Sequence, residues 1–195
     1  MACRSSSSPT GSGSPGRSRP RSCARRSSRS RPRAKRRLAK TLSSPREIAP
    51  CDLDAPPSRR LAVLTCMDAR IDLDALLDLN LGDAHVIRNA GAIATTDVIR
   101  TLAASQRLLG TGEIIVVQHT DCGIHRMDPA VFSAEVARDT GIEVDWEVPA
   151  TDSPQSTLAM TLEILRSAPE IPNRDRISGY VLELHTGRLL DPKAD

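Results

Sequence analysis

Glu113-Ile114-Ile115-Val116-Val117-Gln118, running into His119-Thr120-Asp121-Cys122-Gly123, is the stretch on which the reading of this chain turns. An unbroken β-branched run with no alternation reads as a strand buried on both faces, as in a parallel sheet. A second run, Leu61-Ala62-Val63-Leu64-Thr65, also ends in a polar cluster, Cys66-Met67-Asp68-Ala69-Arg70. Two apolar strands that each deliver polar groups at their carboxyl ends set the plan of the fold, because ligands gather at that edge of a parallel sheet.

The intervening sequence supplies the crossovers. Asp72 to Leu81 has leucines at helical spacing and is closed by Gly82. Ala84-His85-Val86-Ile87-Arg88 reads as a strand that turns at Asn89-Ala90-Gly91. Thr95-Thr96-Asp97 caps a predicted helix carrying Val98, Ile99, Leu102, Ala103, Leu108 and Leu109, ended by Gly110 and Gly112. Further helices are predicted from Pro129 to Thr140 and from Pro154 to Ser167. The last strand, Gly179 to Leu184, precedes a Thr186-Gly187 turn and a short returning strand. The expected class is α/β: a mostly parallel central sheet flanked by helices on both faces.

Charge divides the chain. Residues 1–40 hold 13 of the 27 Lys and Arg, 11 serines and no acidic residue, which leaves 14 basic and 24 acidic side chains elsewhere. The Arg/Ser/Pro-rich leader has almost nothing to bury, so residues 1–56 are expected to be a disordered basic tail and linker, with a folded domain over 57–195. An organelle transit peptide, a nucleic-acid-binding tail, and a solvated tail or translated sequence upstream of the true start all fit this composition. With no aromatic residue in the tail to stack on bases, the solvated reading is preferred and no nucleic-acid partner is expected.

Five cysteines, Cys3, Cys23, Cys51, Cys66 and Cys122, lack the dense spacing of a disulfide scaffold and suit a reducing compartment. No run approaches the roughly 18 apolar residues of a membrane span, so a cytoplasmic protein without a membrane partner is expected.

Cys66, His119 and Cys122 together offer two thiols and an imidazole, a donor set that suits zinc. Three protein ligands would leave one position open, as catalytic zinc requires. A helix starting just after Cys122 would favour the thiolate form. Taken singly, each residue is more often an ordinary buried cysteine or a satisfied core histidine. That alternative does not account for two apolar strands ending in Asp68/Arg70 and His119/Asp121. Asp121 is expected to cap a following helix, His125 to be a solvent-facing loop histidine rather than a proton shuttle, and His85 and His185 to be structural.

Cys66-Met67-Asp68-Ala69-Arg70, Val86-Ile87-Arg88-Asn89-Ala90-Gly91 and His119-Thr120-Asp121-Cys122-Gly123 resemble the signature set of β-class carbonic anhydrases, most closely the short actinobacterial (mycobacterial-type) members. The resemblance covers about residues 57–190. It implies one Zn2+ per subunit held by Cys66, His119 and Cys122, with Asp68 either a fourth ligand that closes the site or a partner of Arg70 that opens it. It implies a zinc lyase that hydrates CO2 to bicarbonate through a zinc-bound hydroxide, with Asp68 and Arg70 as catalytic residues gating the fourth position. A homodimer or dimer of dimers is implied, although residues 1–56 do not look like the helical arm that relatives pack across a dimer. Hydrolysis of CS2 or COS on the same zinc is the nearest alternative, and a non-catalytic zinc domain with a nucleic-acid-binding tail is a third. Phe132, Trp146 and Tyr180 are the only aromatics, so small aliphatic side chains are expected to line the pocket.

Overall fold

In the computed structural model, β1 (Leu61–Cys66), β2 (Ala84–Asn89), β3 (Glu113–His119), β4 (Ile177–Glu183) and β5 (Arg188–Leu190) form one sheet in the order β2-β1-β3-β4-β5. The structure describes residues 52–144 and 153–191. The tail and linker expected up to residue 56 lie outside the described residues but for their last five, and so does Trp146. The first four strands are parallel, and β5 returns antiparallel to β4. All six residues of β1 are buried, and β3 is buried along most of its length, as unbroken apolar runs demand of central strands.

The helices are α1 (Leu73–Leu77), α2 (Thr96–Leu109), α3 (Pro129–Thr140) and α4 (Pro154–Ser167), with a 3-10 turn at Ile124–Arg126. Gly179 of β4 faces α4: a Cβ there would lie 2.7 Å from Leu158 Cδ1 and 2.9 Å from Leu162 Cδ1. Leu182, of the opposite parity on β4, shares a small cavity with Ala75 and Leu76 of α1. Helices therefore flank both faces of the sheet. The chain steps from β1 out to β2 and then back across to β3, so the crossovers lie on opposite sides.

Several elements differ in extent from expectation. α1 stops at Leu77 rather than Leu81, because Asp78 turns left-handed (φ 52°) and Arg59 donates to its carbonyl oxygen at 2.6 Å. Leu108, expected on the apolar side of α2, is 79% exposed. Ser105 and Gln106 are buried there instead, and Ser105 bonds to His85 and Thr111. α4 buries Thr157, Leu158, Thr161, Leu162 and Leu165, with Met160 and Ile164 half-buried at its edge. β4 starts at Ile177 and ends at Glu183, and the hairpin closes on a Gly187 N–H to Glu183 oxygen bond of 2.8 Å.

Candidate metal centre

β1 and β3 are neighbours whose onward connections leave in opposite directions, to β2 and to β4. A crevice opens at such a reversal beyond the carboxyl ends of the strands. Cys66 is the last residue of β1 and His119 the last of β3. Cys122 follows a tight turn in which Asp121 adopts φ 58°. The donor atoms of Cys66, His119 and Cys122 all lie within 4.8 Å of one another, and all three residues are buried.

Two observations test this cluster as a metal site. The Cys66 and Cys122 Sγ atoms are 3.9 Å apart, far beyond a disulfide. Two thiolates on one tetrahedral zinc, each at ~2.3 Å, stand about 3.8 Å apart. His119 Nδ1 lies 2.9 Å from the Thr120 carbonyl oxygen. A carbonyl only accepts, so Nδ1 carries the proton and Nε2 presents a bare lone pair. That Nε2 is fully buried and has no hydrogen-bond partner among the described residues. A buried acceptor beside two sulfurs is costly unless a metal takes its lone pair. The residues fit a soft or borderline cation.

Local structure acts on the two thiols in opposite directions. Burial alone would push the Cys66 thiol up, but the neighbouring His119 imidazole and the backbone N–H groups of Gly91 and Asp68 outweigh it and bring the group down to about 7. Burial pushes the Cys122 thiol up, and the nearby Cys66 sulfur adds to this, against the N–H groups of Ile124 and His125. Those two amides open the 3-10 turn, so the helix N-terminus expected after Cys122 is present in a short form.

Asp68 sits beside the cluster with Oδ2 4.0 Å from His119 Nε2, yet it is turned onto Arg70. Arg70 Nε reaches Oδ1 at 2.9 Å and Nη2 reaches Oδ2 at 2.7 Å, a bidentate fork, while the Arg70 backbone N–H adds a third bond of 2.9 Å. These bonds hold the Asp68 carboxyl well below the usual carboxylate range. Asp121 caps no helix. It accepts from Arg70 Nη1 at 2.8 Å and from Arg126, and its carbonyl oxygen accepts from Arg70 Nη2. Asp128 caps α3 instead.

His125 is half-buried and 3.0 Å from Thr157 Oγ1, not a free loop histidine, and burial lowers its pKa. His85 is structural, bonded to Ser105, whereas His185 is exposed in the hairpin turn. Arg88 had no role assigned from sequence. It donates to the Cys66, Asp68 and Ile71 carbonyl oxygens and so fastens the loop that carries Asp68. An arginine closing an apolar strand was the available signal. A groove of about 610 Å3 beside Leu158, Leu162 and Arg166 has neither thiol in its lining.

A family model described as carbonic anhydrase matches residues 61–144, which contain Cys66, Asp68, Arg70, His119, Asp121 and Cys122. Beta-carbonic anhydrase 1 of Mycobacterium tuberculosis is 40% identical over 137 residues, spanning 70% of this chain and 84% of that protein. The chain belongs to the β-carbonic anhydrase family. A second relative, named carbon disulfide hydrolase, from an Acidianus strain, is 38% identical over 161 residues, 70% of this chain and 79% of its own length. The crystal structure of carbonic anhydrase from Streptococcus mutans superposes with a TM-score of 0.68 at 34% identity, covering 81% of this chain and 93% of the other. β-Carbonic anhydrases are zinc enzymes, and Cys66, His119 and Cys122 form a cluster that could hold a metal ion. Among the described residues no helix is long and apolar enough to cross a membrane.

Proposed function

We propose that this protein reversibly hydrates CO2 to bicarbonate on one zinc ion per subunit, with Cys66, His119 and Cys122 as ligands and Asp68 and Arg70 as the gate of the fourth position. The observation that carries the reading is the placement of Asp68, 4.0 Å from the orphaned His119 nitrogen yet forked onto Arg70. When bound, zinc supplies the Lewis acidity that makes water a usable nucleophile near neutral pH. Asp68, kept ionised by Arg70, accepts a hydrogen bond from the attacking water and aims its lone pair at the carbon. Arg70 holds Asp68 off the three ligands and so leaves room for that water. If Asp68 turns inward instead, Arg70 keeps its bonds to Asp121, so its charge is not stranded. CO2 is a three-atom electrophile and needs no large cavity.

Stopped-flow CO2 hydration by zinc-loaded protein tests the reading directly, with rates well above the buffer expected between about pH 7 and 9. Folded, zinc-loaded protein without that activity would refute it. The carbon disulfide hydrolase relative makes CS2 the second substrate to assay. Turnover of CS2 with no CO2 hydration would move the assignment to that reaction on the same residues. A homodimer or dimer of dimers is part of the proposal. It is supported by α3, which buries none of its residues, and by Val86, 45% exposed on the outer strand β2. A cytoplasmic setting is supported by the unbridged Cys66 and Cys122.

A further inference from the structure

Asp121 stands in the turn between His119 and Cys122 but is no member of the donor cluster. Its side chain and its carbonyl oxygen turn to arginines instead. Oδ2 accepts from Arg70 Nη1 at 2.8 Å, the carbonyl oxygen accepts from Arg70 Nη2 at 2.9 Å, and Oδ1 accepts from Arg126. Asp68 takes the side edge of the same guanidinium, through Nε and Nη2, and Asp121 takes the end edge, through Nη1 and Nη2. The group is gripped along two edges, which fixes both its plane and its direction.

Arg70 needs that second hold. Its side chain is half-exposed, and keeping a long side chain in one geometry costs rotamer entropy that an exposed ion pair barely offsets. Asp121 is itself fixed. Its φ of 58° lies in the left-handed region, which aspartate tolerates. The turn is tied to the end of β4 through Thr120, whose N–H donates to the Leu182 oxygen at 2.9 Å and whose Oγ1 accepts the Leu184 N–H at 3.1 Å. One short stretch of backbone therefore places His119, Cys122 and the anchor of Arg70 together.

We infer that Asp121 is a positioning residue of the gate, holding the end edge of the Arg70 guanidinium so that its side edge stays presented to Asp68. The role rests on the proposed gating of the fourth zinc position by Asp68 and Arg70. It acts through two links, Asp121 to Arg70 and Arg70 to Asp68, and not on substrate. Without the Asp121 carboxylate, Arg70 swings into solvent more often, Asp68 loses its fork, and the freed carboxylate takes the fourth position for a larger share of the time.

The test uses the full chain. Asp121→Gly removes the carboxylate while glycine keeps the left-handed turn without strain. Asp121→Asn returns one acceptor in a residue that also tolerates that region. In zinc-loaded protein, NMR should show the Arg70 Nε proton exchanging with water about 5-fold faster in the glycine variant, with at least half of the change recovered in the asparagine variant. In cobalt-loaded protein, azide, a small anion that needs the open position, should bind the glycine variant about 5-fold more weakly, read from the visible cobalt bands. Made on an Asp68→Asn background, the same substitution should leave azide affinity unchanged, because no carboxylate remains to be gated. An unchanged Arg70 exchange rate or azide affinity in the glycine variant overturns the role. So does a loss of azide affinity that persists on the Asp68→Asn background, which a merely structural effect would give. Should the glycine variant not fold, Asp68→Ala decides: Arg70, held by Asp121 alone, should rotate about its Nε–Cζ bond more slowly than the exposed Arg100, and equal rotation overturns the role. Folded, zinc-loaded wild type that hydrates no CO2 removes the proposed function and the gate with it. Wild type that hydrates CO2, with an unaltered Asp121→Gly variant, removes the role of Asp121 alone.

Discussion

In the metal-free protein, stability should depend on pH through Cys66, and replacing that residue isolates the effect. The thiol titrates at about 7 when folded, against 9.0 for its unperturbed value. A depressed folded pKa means that the unfolded chain binds more protons between the two values, so stability rises with pH there. The contribution is fully present above about 9 and is lost as the pH falls through about 7. From pH ~6.5 to ~8.5 the linkage relation gives a gain of about 2 kcal/mol from this one group. Cys122, pushed up by burial and by its neighbour, stays a thiol in both states over most of that window and adds little. Urea unfolding of wild type and Cys66→Ala, with chelator and reductant present, measures the difference at each pH. The wild-type advantage should widen by about 2 kcal/mol across the window, since the packing lost with the sulfur does not vary with pH. A gap that stays constant would refute the account of a thiolate prepared by the His119 imidazole and the Gly91 and Asp68 amides. It would also weaken the claim that the fold readies Cys66 for a metal before the metal arrives.

Two further outcomes follow from the same geometry. Asp68→Asn should keep stoichiometric zinc, measured by metal analysis, while CO2 hydration falls about 100-fold or more, because the acceptor that orients the nucleophile loses its charge. An unchanged rate would remove Asp68 from the mechanism. Gly179→Ala should destabilise by about 1–3 kcal/mol in thermal or urea unfolding, because the new methyl would meet Leu158 and Leu162 at 2.7 and 2.9 Å and both leucines are buried. A neutral substitution would show that α4 can shift away from the sheet.

The three motif stretches were legible because each combines a strand signal with a chemical one. Ile114–Val117 and Leu61–Leu64 announce central strands through unbroken apolar composition, and a parallel sheet then brings the ends of neighbouring strands together whatever their separation in sequence. Cys66, His119 and Cys122 were readable as a group for that reason, and the family resemblance resting on them is confirmed by the relatives. What depends on side-chain direction was not readable. Asp121 looked like a helix cap because Asp before a turn usually is one, and only the fold sets Arg70 and Arg126 around it. His125 looked solvated because nothing local places Thr157, 32 residues later, against its ring. Leu108 matched the helical period of α2 but falls on the side that no described element covers, where its packing had been expected.

By itself, then, the sequence determined the α/β alternation, the strand ends that carry the donors and the donor set that selects a zinc-like metal, because these follow from residue type and local spacing. The tertiary structure alone decided that the two sulfurs stand 3.9 Å apart, that His119 Nε2 is left bare, and that Asp68 faces Arg70. It alone decided that a glutamine in an apolar strand donates to the Gly91 and Ala92 carbonyl oxygens. Each of these is a distance between groups far apart in the chain, and such distances exist only once the sheet has chosen its neighbours.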